Sequence, residues 1–420
     1  MSSALLLVLL VVVAYLAAHV AFEWLARRYL VVSGAEYLVL GVLVGPQAFG
    51  LLPVEALDAF SPFLTLALGW VGVIVGMQFH LPALVRIPAL RWQVASVEAV
   101  LTLTVVAGLI ALTLYWMFDA SLSAAVVAGI AFGAVATASA PTGIEVVARR
   151  LSDRGPLVRQ LELTAAVDSV VAIVALGLLA CVYHAPPLTG RPPTTTEWAV
   201  ISIGLGVVSG ALFQLFLGSE RESDRFIISL VGAVALASGA ASYLQLSSLL
   251  VCMVMGATLA NTTSNRQPVA ANLAAAERPF YFVLLILAGA TWRPGPVTWL
   301  VPLFLFLLAR AVGKVGGARL AARTAGAVTA LGPGWGRALL GQGGLALALA
   351  LEYARREAPF HELVFAAAIV SVLLTDFGSA WLVHSVVAPA GAARRSAESG
   401  EQVPDPVVGP VVPTSTSAER

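Results

Sequence analysis

One stretch about a third of the way along the chain decides the fold: Gly133-Ala-Val-Ala-Thr137-Ala-Ser139-Ala-Pro141-Thr142-Gly143. It lies inside the long apolar segment 121–148, yet it is polar, small and unfavourable for a helix. Pro141 lacks a backbone N–H and clashes with the preceding turn, and Gly143 loosens the helix. A second interruption, Gly341-Gln342-Gly343-Gly344, precedes an Ala/Leu run. Two interrupted membrane helices indicate a transport site near the bilayer midplane, because helix ends present their dipole charge there. The structural alternative is close helix packing through small residues.

The composition of the whole chain is that of a membrane protein. Of the 420 residues, 59% are hydrophobic and 11% charged, and the mean hydropathy is +0.91. A soluble domain has roughly a quarter of its residues charged. Apolar runs of about 20 residues recur without the alternation of barrel strands, so helices are predicted. We predict an all-α polytopic membrane protein of about thirteen transmembrane helices, with spans at 4–25, 34–51, 62–81, 92–117, 121–148, 160–183, 197–217, 226–245, 247–262, 279–292, 298–321, 335–354 and 361–386.

The distribution of basic residues predicts the orientation of these spans. With the N-terminus outside, 18 of the 24 basic residues fall in inner loops or the tail and 4 in outer loops, while Arg310 and Lys314 lie within a span. Short cytoplasmic loops carry an excess of Lys and Arg, so we predict an outside N-terminus and a cytoplasmic C-terminus in the plasma membrane. Residues 1–388 form the predicted transmembrane domain. Residues 389–420, rich in Pro, Ser, Ala and Glu, are predicted to form a disordered cytoplasmic tail.

Charged residues within spans are energetically costly and usually face a cavity or a partner. Those well inside spans are Glu98, Asp168, Arg310, Lys314 and Asp376, while Glu145, Glu162 and Glu352 lie nearer the ends. A rise of about 1.5 Å per residue places Asp168 about 12 Å deep, Lys314 about 9 Å, and Arg310 and Asp376 about 15 Å. Four ionisable groups of both signs therefore share one level. An ion pathway and a structural ion pair both explain them.

The interrupted spans also predict internal symmetry. They are the fifth and twelfth, and an odd offset of seven means that related spans run in opposite directions, as in an inverted repeat. The sixth and thirteenth spans then correspond, so Asp168 and Asp376 lie on equivalent helices. We expect Arg310 to pair permanently with Asp376, which leaves Lys314 free to respond to Asp168.

Six segments, in order within residues 5–387, resemble motifs of the monovalent cation:proton antiporter superfamily, which includes sodium/proton exchangers and Kef-type potassium/proton antiporters. The segments are 37–46 with its Gly-Pro signature, 72–81 on the third helix, 139–151 and 341–349 on the crossing helices, 167–174 at the ion-site pair, and the basic segment 310–314.

The resemblance implies a secondary transporter rather than an enzyme, with no cofactor. Asp168 would carry a proton or a monovalent cation, sodium or potassium. The ion would be cradled by the polar groups of Thr137, Ser139, Thr142 and Gln342, and the charge would be balanced by Lys314 or Arg310. The resemblance further implies an elevator mechanism, in which a core (92–183 and 298–386) moves past a scaffold (1–81 and 197–292) that forms a homodimer in the lipid bilayer.

The chain departs from the family pattern at several positions. The crossing-helix aspartate is Ala140, and the third-helix glutamate is Gln78. Aligning Ala172 with the small residue that normally follows the key aspartate by three positions puts Ser169 there, so the register between Asp168 and Ser169 is open. Two alternatives to cation exchange also stay open. One is an organic-anion carrier that uses Arg310 and Lys314, and the other is a non-transporting protein with the same fold. No basic tract indicates nucleic acid, and the histidines form no metal-binding spacing.

Overall fold

The computed structural model describes residues 35–182, 193–217, 223–263, 266–324, 331–332 and 334–399. The predicted first span, 4–25, lies outside these residues. The described residues form helices and connecting loops and contain no strand. Among them, six helices are long and apolar enough to cross a bilayer, and five shorter apolar helices accompany these. The predicted all-α membrane fold is confirmed for this part of the chain, while the total of thirteen spans stays a prediction.

The described helices have the following bounds in chain order: α1 Ala35–Val44, α2 Val54–Ala59, α3 Ser61–Met77, α4 Leu81–Leu84, α5 Ala89–Met117, α6 Leu122–Thr137, α7 Pro141–Leu151, α8 Pro156–Val182, α9 Thr195–Leu217, α10 Ser223–Tyr243, α11 Ser248–Thr262, α12 Arg266–Thr291, α13 Leu300–Thr324, α14 Gly343–Ala354 and α15 His361–Ser399. Short 3-10 turns occupy Val297–Trp299 and Trp335–Leu339.

The helices pack in two groups. In one, α5 lies against α6, α8 and α13, and α15 packs on α14 and α7. In the other, α3 and α9 pack against α11, and α1 packs against α12. The α3–α11 contact depends on glycine, because a Cβ at Gly76 would overlap the carbonyl oxygen of Met253 and one at Gly256 would overlap the backbone of Val73. Small residues thus let these two backbones approach closely, as in other membrane helix pairs.

Both predicted helix interruptions are present, and they contact each other. Residues 138–140 separate α6 from α7, and residues 340–342 separate the second 3-10 turn from α14. The amide of Ala140 donates a hydrogen bond to the carbonyl of Gly341 at 2.9 Å, which joins the two breaks directly. Gly343 has φ +66°, and a Cβ on it would lie 2.9 Å from the Cβ of Ala140. The second break therefore requires glycine for both its backbone conformation and its packing.

Two helices extend more than ten residues beyond their predicted bounds. The last one continues through Pro389 to Ser399, so residues 389–399, which were predicted to be disordered, are helical instead. Residues 400–420 lie outside the described chain. The helix before the 292–296 loop begins at Arg266 rather than near residue 279. Both extensions are rich in alanine, the strongest helix former, and this local preference outweighs their polar composition.

Candidate ion-binding site

The centre of the site is a buried carboxylate on α8. Asp168 has 0% of its surface exposed. Its Oδ2 lies 2.6 Å from the Nζ of Lys314 on α13 and accepts a hydrogen bond of 2.6 Å from the hydroxyl of Ser139, in the break after α6. The Ser139 hydroxyl is also 3.1 Å from the carbonyl oxygen of Leu339. Three separate elements thus converge on one carboxylate oxygen.

The other oxygen of the same carboxylate is unsatisfied. Asp168 Oδ1 is buried and no amide, hydroxyl or ammonium group of the described residues donates to it. The Glu98 carboxyl also lies within hydrogen-bonding reach of the Asp168 carboxylate. A buried polar atom without a partner is unfavourable, and a buried carboxylate oxygen especially so. A bound proton or a small cation at Oδ1 would relieve that cost. The chemistry of this position therefore fits a positively charged ligand.

A second carboxylate that the sequence analysis left out of the site belongs to it. Glu98 on α5 is 0% exposed. Its Oε1 lies 3.4 Å from Lys314 Nζ and accepts a 2.9 Å hydrogen bond from the hydroxyl of Thr102. The sequence did contain a signal for Glu98. It lies six residues into its predicted span, which corresponds to a depth of about 9 Å, the same as that of Lys314. We call Asp168, Lys314, Glu98 and Ser139 the carboxylate cluster.

Arg310 satisfies the backbone of the two breaks. Its guanidinium donates to the carbonyls of Ala136 at 3.1 Å and Ala138 at 3.3 Å, where α6 ends, and to that of Leu340 at 2.7 Å, after the 3-10 turn. Carbonyls at helix C-termini have no partner within the helix and carry the negative end of the helix dipole. The buried guanidinium of Arg310 supplies several N–H donors to these carbonyls, and its positive charge faces the negative end of the dipole.

Asp376 accepts hydrogen bonds from backbone amides at the second break. Its Oδ1 accepts hydrogen bonds from the backbone amides of Gln342 at 2.9 Å and Gly343 at 3.1 Å, at the N-terminus of α14. Among the described residues, no ion pair within 4.0 Å includes Asp376 or Arg310. The two residues therefore do not form the expected pair by direct contact, although their opposite charges attract each other over a longer distance. Backbone N–H and C=O groups that have no partner within their helix must find hydrogen-bond partners nearby in a membrane interior. Asp376 and Arg310 provide these hydrogen bonds at the two breaks.

Gln342 and Thr142 lie on the two sides of the crossing. The buried Gln342 side chain donates from Nε2 to the carbonyl of Val135 at 2.6 Å, and its Oε1 has no partner among the described residues. The Gln342 side chain thus connects the second break to α6, and its Oε1 accepts no hydrogen bond from the described residues. Thr142, at the start of α7, is exposed and lies outside the carboxylate cluster.

The remaining two predicted hydroxyls turn back into their own helices. Thr137 Oγ1 donates to the carbonyl of Gly133 at 2.8 Å, and Ser169 Oγ donates to that of Ala165 at 2.8 Å. Both are bonds to the residue four positions earlier, which is a common arrangement for hydroxyls in membrane helices. The structure therefore places Asp168, rather than Ser169, in the cluster.

Two open cavities are lined in part by the half-helices α7 and α14. One, of about 600 Å³, is lined by Glu145, Arg154 and Glu162, on the side predicted to be cytoplasmic. The other, of about 620 Å³, is lined by Glu352 and Arg356 among others. Glu162 is six residues before Asp168, about 9 Å along the helix. The carboxylate cluster itself is closed to solvent from both cavities, since its charged members are 0% exposed.

Solved structures share this architecture over nearly the whole chain. A structure at pH 8 of the sodium proton antiporter MjNhaP1 from Methanocaldococcus jannaschii superposes with a TM-score of 0.65 at 13% sequence identity, covering 92% of this chain and 99% of that one. An electron-microscopy structure of the same antiporter gives a TM-score of 0.58 at 14% identity, covering 94% of this chain and 97% of that one. The chain has the fold of a sodium proton antiporter. No family model and no curated protein matches its sequence.

Within this antiporter fold, the departure at position 140 has a visible consequence. The family pattern has an aspartate there, and here the methyl group of Ala140 lies against Gly343 at the crossing. The carboxylate of Asp376 on α15 contacts the crossing at the amide of Gln342. The fold expected from the motifs is confirmed, and the antiporter crossing in this chain has its own arrangement of charges.

Proposed function

We propose that the protein is a secondary antiporter that exchanges a monovalent cation, sodium or potassium, for protons across a membrane. The observation that carries the proposal is the half-satisfied carboxylate of Asp168. One oxygen is held by Lys314 and Ser139, and the other is buried and receives no hydrogen bond from an amide, hydroxyl or ammonium group in the described part of the chain. A site of this kind accepts a proton or a cation at the free oxygen.

Exchange follows from competition at that oxygen. A proton on the Asp168 carboxyl removes the charge that attracts a cation, and a bound cation repels a proton at the same place. Charges a few ångströms apart interact strongly in a buried site, so simultaneous occupancy is unfavourable. Loading one ion therefore requires release of the other. Alternating exposure of the site to the two sides then makes the exchange directional.

Alternating exposure would use the two cavities that are lined by α7 and α14. We propose that the core carrying the crossing helices moves past a scaffold that dimerises, as an elevator, so that the carboxylate cluster opens to one cavity at a time. Glu352 Oε2 accepts a hydrogen bond of 3.2 Å from the amide of Leu249, which links α14 to the start of α11. This contact between the two helix groups would have to break in the movement.

The site chemistry favours a cation over an organic anion. A carrier of anions needs basic groups that are free to bind a ligand. Lys314 is occupied by two carboxylates, and the three nitrogens of Arg310 donate to backbone carbonyls. Both side chains are almost fully buried.

The test is proton flux in proteoliposomes that contain a pH-sensitive dye. External sodium or potassium should drive proton movement with the wild-type protein. Asp168→Asn should abolish the flux, and Asp119→Asn, at an exposed loop position, should preserve it. Flux driven by organic anions would instead favour the anion carrier. Absence of any ion-driven flux with folded wild-type protein would favour the non-transporting alternative.

A further inference from the structure

We infer that Glu98 is a second ion-exchange carboxylate, which sets the charge of the site so that one monovalent cation or one proton neutralises it while Lys314 stays protonated. This inference rests on the proposed function and adds to it a stoichiometry of one cation per proton. The observation behind it is that a single buried ammonium group lies between two buried carboxylates.

The geometry makes the three groups one electrostatic unit. Lys314 Nζ lies 2.6 Å from Asp168 Oδ2 and 3.4 Å from Glu98 Oε1. Since both oxygens lie around the same nitrogen, they are at most about 6 Å apart. All three side chains are 0% exposed, so water screens their interactions little. The protonation of one carboxyl therefore affects the others directly.

The charge of this unit decides what it can load. With Lys314 protonated and both carboxylates ionised, the net charge is minus one. One proton on either carboxyl brings the net charge to zero, and so does one monovalent cation bound between the carboxylates. The two loaded states therefore carry the same charge, and exchange moves no net charge through the membrane.

The other charged groups near the crossing do not alter this count. Arg310 and Asp376 have opposite charges and are held by backbone groups at the helix breaks. They contribute the same charge to both loaded states.

Without the second carboxylate, the same site would work poorly. Asp168 and Lys314 alone form a neutral pair, and a further proton or cation would leave an uncompensated positive charge in the membrane interior. Such charges are strongly disfavoured there. In a Glu98→Gln variant, Asp168 and Lys314 should therefore stay paired with each other, and the variant should exchange little. Removing the lysine charge as well should restore the balance, because Asp168 alone can then be neutralised by one proton or one cation.

The experiment compares initial rates of proton and cation flux in proteoliposomes for wild type, Glu98→Gln, Lys314→Gln and the double variant. We expect Glu98→Gln to lower exchange at least 30-fold, which corresponds to about 2 kcal/mol, because the loaded site would then carry an uncompensated charge in the membrane interior. The double variant should recover to within about tenfold of wild type, since a factor of ten is only about 1.4 kcal/mol. Glu362→Gln, at an exposed position on α15, is the matched control and should exchange at the wild-type rate.

Three results would overturn the inference, and all three leave the proposed function standing if wild type exchanges. They are wild-type rates in Glu98→Gln, a folded double variant that is inactive, and more than one proton moved per cation by wild type. If Glu98→Gln does not fold, the double variant still decides, because its activity depends on charge balance and not on the Glu98–Lys314 contact. Wild type that exchanges no cation would instead contradict the proposed function itself.

Discussion

Replacing Asp376 tests how the crossing of the broken helices is held together. Its carboxylate uses a single oxygen, Oδ1, to accept hydrogen bonds from the amides of Gln342 and Gly343. Asparagine also has one side-chain carbonyl oxygen, so Asp376→Asn can keep both bonds. Asp376→Ala removes both and leaves two buried amides at the start of α14 without partners.

The size of each effect follows from the strength of these bonds. Hydrogen bonds to a charged group contribute about 1.5–3 kcal/mol each, and neutral ones about 0.5–1.5 kcal/mol. Asp376→Ala should therefore destabilise the protein by about 3–6 kcal/mol, from two charged bonds lost. Asp376→Asn exchanges two charged bonds for two neutral ones and should cost about 2–3 kcal/mol.

A double variant distinguishes this arrangement from a direct ion pair. Arg310 bonds to different atoms of the breaks, the carbonyls of Ala136, Ala138 and Leu340. Adding Arg310→Gln to Asp376→Asn should therefore destabilise the protein further. If the two residues formed a buried pair, removing the second partner would recover part of the roughly 3–5 kcal/mol lost when one partner is removed.

The assay is unfolding of the purified protein in mixed micelles with increasing SDS, followed by tryptophan fluorescence. We expect the order wild type, Asp376→Asn, Asp376→Ala from most to least stable, and no recovery in the double variant. A double variant more stable than Asp376→Asn would refute the separate-capping account. Equal losses for the asparagine and alanine variants would refute the assignment of both bonds to a single carbonyl-type oxygen.

Further predictions concern the cluster, the α3–α11 contact and the competition between ions. Ser139→Ala loses a charged hydrogen bond to Asp168, worth about 1.5–3 kcal/mol, so cation affinity measured by flux should fall by roughly 10- to 150-fold. Ser169→Ala should change cation affinity less than about threefold, under 0.7 kcal/mol, because its hydroxyl bonds within its own helix. Gly76→Leu should abolish folded protein in size-exclusion chromatography, whereas Gly204→Leu, where a side chain would meet open space, should not. The apparent KM for the cation should rise as pH falls while the maximal rate under saturating cation stays constant, and a constant KM would argue against competition.

Much of the fold could be predicted because it depends on local composition. The apolar runs predict helices wherever they are long enough, and Pro141 and the glycines of 341–344 predict the two breaks. What the sequence could not show is how the open helix ends are satisfied. That depends on which side chains reach particular carbonyls and amides. Arg310 and Asp376 attract each other, but for this reason each forms its hydrogen bonds with backbone groups and not with the other.

The candidate site could be predicted only in part, because the sequence gives the depth of a residue but not the direction of its side chain. Depth along the helix placed Asp168 and Lys314 at one level, and the two side chains are in contact. Depth alone does not give the direction in which a side chain points. Thr137 and Ser169 therefore looked like possible ligands, although their hydroxyls bond to their own helices. Depth also placed Glu98 near the level of Lys314, but the contact between the two side chains depends on the packing of α5 against α13.

The measurement that tests the central claim most directly is proton release on cation binding by the purified protein, in weakly buffered detergent solution with a pH-sensitive dye. If a proton and a cation compete at Asp168, adding saturating sodium or potassium at a pH where the site is protonated should release one proton per chain. Asp168→Asn should release none, and Asp119→Asn should match wild type. Cation binding detected by calorimetry without proton release, or unchanged release from Asp168→Asn, would contradict the account.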